Sequence, residues 1–260
     1  MMVLKLGGSV ITIKDKPMTP RPEAIRRLAR EIAEAGVRLI LIHGGGSYGH
    51  PVASRYGIAG GYRSEAQLLG FAETHQAMVR LNTLIVEALI KAGVPAIGVP
   101  PSSFIIAAEG RITKLKLQIL REMLKMGLTP VLYGDAVLDT RRGFTILSGD
   151  QLASRLAVEL RAERLIYGVD VDGVYTKDPK RGEARLLERV TPSTLRELET
   201  GSPTAVDVTG GMKTKIEEAL RAAEMGVEVV ILNAMREGVI LKALRGEAVK
   251  GSWVVFDADD

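Results

Sequence analysis

The chain has 260 residues, 46% hydrophobic and 25% charged, with a net charge of +4, which is enough apolar material for one large α/β core and not the composition of a disordered chain. The absence of cysteine excludes disulfides, thiolate nucleophiles and cysteine-bound zinc. Aromatics make up only 4%, too few for stacking on single-stranded nucleic acid, and the scattered basic residues suit small anionic ligands such as nucleotides and phosphates.

The elements alternate along the chain. Met2–Leu6 reads as a short apolar strand running into Gly7-Gly8-Ser9, and its lysine and following glycines are unlike a signal peptide. Pro22–Ala35 is a helix with Ile25, Leu28, Ala29 and Ile32 on one face and Gly36 as its stop. Val37–Ile42 is an apolar strand of the kind covered on both faces, and it ends in His43-Gly44-Gly45-Gly46. The spacing predicts a long helix over Ser64–Ala92 with two apolar stripes. Leu68, Phe71, Met78, Leu81 and Ile85 form one; Leu69, Ala72, Val79, Val86 and Ile90 form the other. Only one stripe is needed against a sheet, so the second should meet a ligand pocket or a second subunit. Ala96–Val99 and Pro130–Tyr133 are strands, with a helix near Leu115–Met126 between them. Phe104–Thr113 and Ala136–Leu147 read as hairpins turning at Glu109-Gly110 and Arg141-Arg142-Gly143. Helix Asp150–Leu160, strand Arg164–Tyr167, helix Gly211–Met225, strand Val227–Leu232, helix Gly238–Leu244 and strand Trp253–Phe256 follow. No apolar run approaches the roughly 20 residues of a membrane span, and a cytoplasmic protein is expected. The pattern predicts a three-layer α/β/α sandwich with a mainly parallel central sheet, one domain with lobes of about 1–150 and 151–260.

In open α/β sheets a ligand sits beyond the carboxyl ends of the strands. Glycine clusters fall there: Gly7-Gly8, Gly44-Gly45-Gly46 and, at a helix start, Gly210-Gly211. Glycine lets backbone N–H groups approach phosphate oxygens, and a helix N-terminus adds partial positive charge. A tight turn accounts equally well for any single pair. Three clusters with lysines beside them favour phosphate binding. Neither G-x-x-x-x-G-K-[ST] nor a G-x-G-x-x-G after the first strand is present, which disfavours P-loop and dinucleotide-binding folds.

Four segments carry a family resemblance: Lys5-Leu6-Gly7-Gly8-Ser9, His43-Gly44-Gly45-Gly46, the run from Asp170 to Pro179, and Thr209-Gly210-Gly211-Met212-Lys213-Thr214-Lys215. They resemble the motifs of the amino-acid kinase family, in that family's order and across nearly the whole chain. The segment from Gly44 to Pro51, the lysine at Lys14, and Pro101-Ser102-Ser103-Phe104 are similar to its isopentenyl phosphate kinase branch. The resemblance implies ATP with Mg2+, isopentenyl phosphate as phosphoryl acceptor in isoprenoid precursor synthesis, and a homodimer. It places the acceptor on the N-terminal lobe and ATP on the C-terminal lobe. It implies that Lys5 and Lys215 meet the β- and γ-phosphates, that Lys14 sits over the moving phosphoryl, and that Asp150 holds both lysines. Gly7, Gly8, Ser9, Gly45 and Gly211 would line the ATP phosphates, and Asp170, Tyr175, Lys177, Asp178 and Pro179 its nucleoside. Gly44, Gly45, Gly49, His50 and Gly149 would form the acceptor site.

Residue chemistry agrees with these roles and leaves others open. Phosphoryl transfer needs positioning and charge neutralisation more than covalent chemistry, and a compact ammonium supplies the second. A phosphate monoester has its second pKa at about 6, so the acceptor site needs donors such as His50 rather than a base. Against this, a lone lysine is ordinarily a solvated charge, Asp150 suits a helix N-cap, and a histidine can simply pack or cap. Asp170–Pro179 also reads as an ordinary turn. His43 and His75 read as structural. Phe71, Met78, Leu81 and Ile85 are candidates for the wall of a prenyl pocket, and Mg2+ would be held mainly by phosphate oxygens and water. Two rivals stay open: another kinase of this fold, foremost one acting on fosfomycin, and a non-catalytic nucleotide-binding or storage protein.

Overall fold

The computed structural model describes residues 1–177, 183–200 and 210–256. Its strands are β1 (Met2–Leu6), β2 (Leu39–His43), β3 (Ala96–Gly98), β4 (Ile105–Ala108), β5 (Arg111–Leu115), β6 (Thr129–Tyr133), β7 (Asp135–Asp139), β8 (Gly143–Leu147), β9 (Arg164–Val169), β10 (Arg189–Val190), β11 (Glu228–Asn233) and β12 (Gly251–Val254). Its helices are α1 (Gly8–Ile11), α2 (Pro22–Ala35), α3 (Gly46–Arg55), α4 (Ala66–Lys91), α5 (Gln118–Lys125), α6 (Gly149–Glu159), α7 (Pro192–Thr200), α8 (Gly210–Glu224) and α9 (Val239–Leu244).

Eight strands form one sheet in the order β10-β12-β11-β9-β1-β2-β6-β3, parallel throughout except at the β11–β12 pair. β1 is central: Lys5 lies opposite Ile42 of β2 on one side and Tyr167 of β9 on the other. Successive side chains of a strand point to opposite faces, and both faces here are apolar. Val3, Ile40, Ile42, Leu165 and Tyr167 join a core with Leu152 and Leu156 of α6 and Ile216 and Ala219 of α8. Leu4, Leu6, Leu39, Leu41 and Ile166 join a second core with Ile25 and Leu28 of α2, Leu81 and Ile85 of α4, and Ile240 of α9. The expected α/β/α sandwich is therefore what forms. Lys5 shares the face of Val3, so its ammonium points toward α6 and α8.

A smaller sheet in the order β5-β4-β7-β8 begins where β6 ends, with only Gly134 between β6 and β7. It overhangs the carboxyl edge of the large sheet and adds a wall there.

The residue pattern predicts no helix between His43 and Ser64, yet α3 occupies Gly46–Arg55 with Pro51 inside it. Its two glycines and its proline argue for a loop on propensity alone. Packing overrides it: Tyr48 enters the second core, and Gly45 and Gly49 back onto the Met78 sulfur of α4, where a Cβ on Gly49 would lie only 2.7 Å away. The first α4 stripe is buried from Met78 onward, while Leu69 and Ile90 of the second are 59% and 56% exposed.

Candidate active site

Three helices begin at the carboxyl edge of the large sheet: α1 at Gly8, α3 at Gly46 and α6 at Gly149. Their first backbone N–H groups lack partners within the helix, and the edge gathers partial positive charge. The first two starts touch backbone to backbone. A Cβ on Gly8 would lie 2.4 Å from Gly46 Cα, and Gly46 itself adopts a left-handed φ of 47°. Only glycine allows both at once.

The charge at this edge comes from three distant segments. The Asp150 carboxylate accepts from Lys5 Nζ at 2.7 Å and from Lys215 Nζ at 2.8 and 2.9 Å. Each side chain is about one-tenth exposed or less: 7% for Lys5, 8% for Lys215 and 12% for Asp150. Asp150 is not the N-cap; Ser148 is, its Oγ accepting from Asp150 N at 3.1 Å, which leaves the carboxylate to the lysines. Burial alone would raise the Asp150 carboxyl, but the two ammonium groups override it and hold its pKa at about 2. Burial, then repulsion from Lys5, lowers Lys215 to about 8, against the pull of Asp150. The Lys215 Nζ also stands 5.1 Å from the centre of the Tyr167 ring, whose hydroxyl donates to the Asp150 carbonyl at 3.1 Å. Two ammoniums against one carboxylate leave a buried excess of positive charge. Such an excess is costly in a protein interior and is relieved by an anion.

Beside this cluster lies a cavity of about 210 Å³. The candidate residues Lys5, Gly8, Gly44, Gly45, Gly49, His50, Met78, Gly149 and Asp150 line it, together with Ala53, Thr74, Asp135, Ile146 and Ser148. His50 is exposed, yet burial of part of its ring, followed by the charge of Lys5, lowers its pKa and favours the neutral form, which has one N–H to give. His43 is fully buried under the glycine loop. Its Nδ1 meets the Gly44 carbonyl at 3.2 Å and its Nε2 meets Asn82 Nδ2 at 3.2 Å, which assigns the proton to Nδ1. Burial, only partly opposed by the Gly44 bond, lowers His43 to about 4. His75 Nδ1 meets both Asp135 oxygens, at 3.0 and 3.1 Å, and that bond raises its pKa. His75 thus holds a carboxylate of the cavity wall in place.

Other expected site residues lie elsewhere on the same edge or away from it. Gly7 donates to the Gly168 carbonyl at 2.8 Å, joining the ends of β1 and β9, and Ser9 sits in α1. Lys14 is exposed on the loop after α1. Asp170, Tyr175 and Lys177 follow β9; that turn is anchored by Asp172, which accepts from Asn233 at 2.9 Å, Arg236 at 2.6 Å and Lys250 at 2.9 Å. Asp178, Pro179 and Thr209 lie outside the described residues. Gly211 is exposed in the first turn of α8. Of the four wall candidates on α4, Met78 lines the cavity. Leu81 and Ile85, one and two turns on, belong to the core between α2 and the sheet. Phe71 stands one layer back, its ring 5.5 Å from Phe144 in the cluster that Ala53 and Ile146 join. Among the lining residues not singled out from sequence, Asp135 and Ile146 come from the small sheet, and no local motif marks them.

The chain matches the amino acid kinase family over residues 1–233. The isopentenyl phosphate kinase of Methanothermobacter thermautotrophicus is 44% identical to it, over 97% of this chain and 98% of that protein. That of Methanocaldococcus jannaschii is 37% identical, over 98% of each. A crystal structure of an isopentenyl phosphate kinase superposes with a TM-score of 0.87 at 40% identity, covering 98% of this chain and 100% of the other. A product complex of the T. acidophilum isopentenyl phosphate kinase superposes at 0.80 and 29% identity, over 98% and 99%. Fold, glycine-lined edge and sequence agree along almost the full length: the chain belongs to the amino acid kinase family.

Proposed function

We propose that this enzyme transfers the γ-phosphoryl group of ATP to isopentenyl phosphate, giving isopentenyl diphosphate for isoprenoid precursor synthesis. The observation that carries this reading is a single small cavity lined both by a buried, net-positive Lys5–Asp150–Lys215 cluster and by the apolar side chains of Ala53, Met78 and Ile146. An anionic head with a short apolar tail satisfies both. At about 210 Å³ the cavity falls below the ~300–1,000 Å³ of drug-sized sites, in keeping with a five-carbon acceptor. The relatives of highest quoted identity bear the name of this activity.

An oxygen of the acceptor phosphate attacks the γ-phosphorus in line, and the bond from that phosphorus to the β–γ bridging oxygen breaks, its electron pair leaving on ADP. The acceptor oxygen is deprotonated near neutral pH, so no base is required. His50 donates an N–H to the acceptor phosphate and holds it against the repulsion of a second anion. Lys5 and Lys215 take the β- and γ-phosphates, and Asp150 fixes the two ammoniums. Lys14 meets the phosphoryl in transit, where its charge counts most. The glycine N–H groups of the three helix starts complete the cradle. The acceptor side is built by residues before about 150, and the turn at 170–177 with the start of α8 serves ATP, beyond the carboxyl ends of the strands as such sheets require.

Mg2+ is part of this proposal. Among the described residues no group of three or more acidic or histidine side chains is placed to hold a metal, and both Asp150 oxygens already accept from ammonium groups. The fit is to an ion that arrives on the nucleotide, coordinated by phosphate oxygens and water, where it offsets their charge. A cytoplasmic homodimer is proposed as well. Leu68, Leu69 and Ile90 on α4 stay more than half exposed in the single chain, and no helix among the described residues is long and apolar enough to cross a membrane.

The test is ATP turnover with isopentenyl phosphate, fosfomycin, N-acetylglutamate and UMP as acceptors, with the product followed by phosphorus NMR. A new diphosphate signal from isopentenyl phosphate is expected. Preference for another acceptor, or ATP binding without turnover on any, overturns the assignment.

A further inference from the structure

The loop that carries Lys14 is hydrogen-bonded to α3 through one residue. Ser47, in the first turn of α3, donates from its backbone N to Thr12 Oγ1 at 3.0 Å. Its hydroxyl donates to the Thr19 carbonyl at 3.2 Å and lies 3.3 Å from Thr19 N, which donates back to it. Its carbonyl accepts from Met18 N at 3.0 Å. Thr12 and Pro20 pair as an isolated bridge across the mouth of the loop, and Ile13 N donates to the Thr19 carbonyl at 2.9 Å. Both strands of this small hairpin, residues 12–20, therefore end on Ser47, which is 2% exposed, while Lys14 at the tip is exposed.

Pro51 makes the last of these contacts possible. In an uninterrupted helix the N–H of residue 51 would donate to the carbonyl of residue 47, but proline has none to give. The Ser47 carbonyl accepts from Met18 instead, and Met18 takes a left-handed φ of 52° to reach it. A non-glycine residue in that region is strained and is held there only when its surroundings over-determine it. One helix thus bears His50 and the anchor of the Lys14 hairpin less than one turn apart.

We propose that Ser47 is a positioning residue: through the carbonyl left open by Pro51 and through its own hydroxyl, it sets the Lys14 hairpin in register with His50. The two donors then act on the transferred phosphoryl and the acceptor phosphate at a fixed separation. The inference rests on the roles given above to Lys14 and His50. Its physical content is that rate in phosphoryl transfer is sensitive to misplacement on the scale of an ångström, about 10²-fold for 1 Å. Loss of the tether leaves the cradle glycines, Lys5 and Lys215 where they are, so binding of ATP and acceptor is retained.

A double-mutant cycle separates this from a purely structural role. Ser47→Ala should lower kcat by about 10-fold or more while both KM values stay within about 2-fold. In a Lys14→Ala background the same change should lower kcat by less than about 2-fold, because the group it positions is gone. Pro51→Ala, which restores an N–H to compete for the Ser47 carbonyl and favours the helix, should act in the same direction and be silenced by Lys14→Ala in the same way. It decides the question if Ser47→Ala fails to fold. If Lys14→Ala leaves kcat unchanged, the role of Lys14 falls and this inference with it. If Lys14→Ala costs rate but Ser47→Ala and Pro51→Ala cost the same in both backgrounds, or nothing, Ser47 is only structural and Lys14 keeps its place.

Discussion

Lys215 loses its proton at a pH where an ordinary lysine keeps it, because it is buried and faces Lys5. In the free enzyme its charge should fade above about pH 8, and kcat/KM for ATP should fall with it. Bound phosphates favour the ammonium, so the alkaline limb of kcat should lie at higher pH than that of kcat/KM. Asp150→Asn removes the carboxylate that supports the Lys215 charge, and the kcat/KM limb should move below that of the native enzyme. Superimposable profiles for the two enzymes would show that Lys215 is not the titrating group. At His50 the expectation is different in kind. The neutral ring is a donor, so His50→Ala should cut kcat about 10²-fold, the scale of one lost preorganised donor. ATP affinity by calorimetry should stay unchanged, and His50→Gln should retain more activity. An unchanged kcat in His50→Ala removes this residue from the mechanism.

The helices show why one stripe of side chains can serve two purposes. On α4, Met78 reaches the cavity while Leu81 and Ile85, on the same stripe, sink into the core. Met78→Ala should enlarge the cavity and raise kcat/KM for geranyl phosphate relative to isopentenyl phosphate, each further buried CH₂ being worth about 0.8 kcal/mol. Leu81→Ala and Ile85→Ala should instead cost about 2–5 kcal/mol in urea unfolding and leave the chain-length ratio alone. If Met78→Ala leaves that ratio unmoved, the tail lies elsewhere. Periodicity identifies a face; what the face meets is a tertiary matter, and so the reading of Phe71, Leu81 and Ile85 as wall was beyond a single sequence. The glycines after β1 and β2 and the lysine within β1 were legible, because continuous apolar runs locate the strands and so the edge where ligands bind. Helix α3 was not, since its glycines and Pro51 signal a loop and only packing on Met78 makes a helix of them. Asp135 and Ile146 were hidden for another reason: they reach the cavity from a second sheet whose placement no local pattern encodes.

At the scale of the whole molecule, the buried His43 and the half-buried His75 pull stability in opposite directions with pH. His43 has a folded pKa of about 4 against 6.5 in the unfolded chain, so between those values the unfolded state binds a proton that the folded state refuses. Stability should fall as pH drops through that window, by up to about 1.4 kcal/mol per unit. His75 is raised by its bond to Asp135; its contribution is full below 6.5 and is lost as pH climbs through the folded value. Urea midpoints at pH 7 and pH 5 should differ in the native protein and differ less in His43→Gln; an equal drop in both would clear His43 of the effect. The position of β1 has a further consequence, in time rather than in space. This strand is an edge until β9, from the second half of the chain, is laid beside it, and the same closure brings Asp150 and Lys215 to Lys5. Parallel pairing across so long a stretch is slow to form. Lys5 therefore waits in water while the chain searches, and goes under cover only in the company of its counter-charge. Regain of nucleotide binding and completion of the central sheet should share one slowest refolding phase, seen alike by a fluorescent ATP analogue and by far-ultraviolet circular dichroism. A sheet completed well before binding returns would separate the two events.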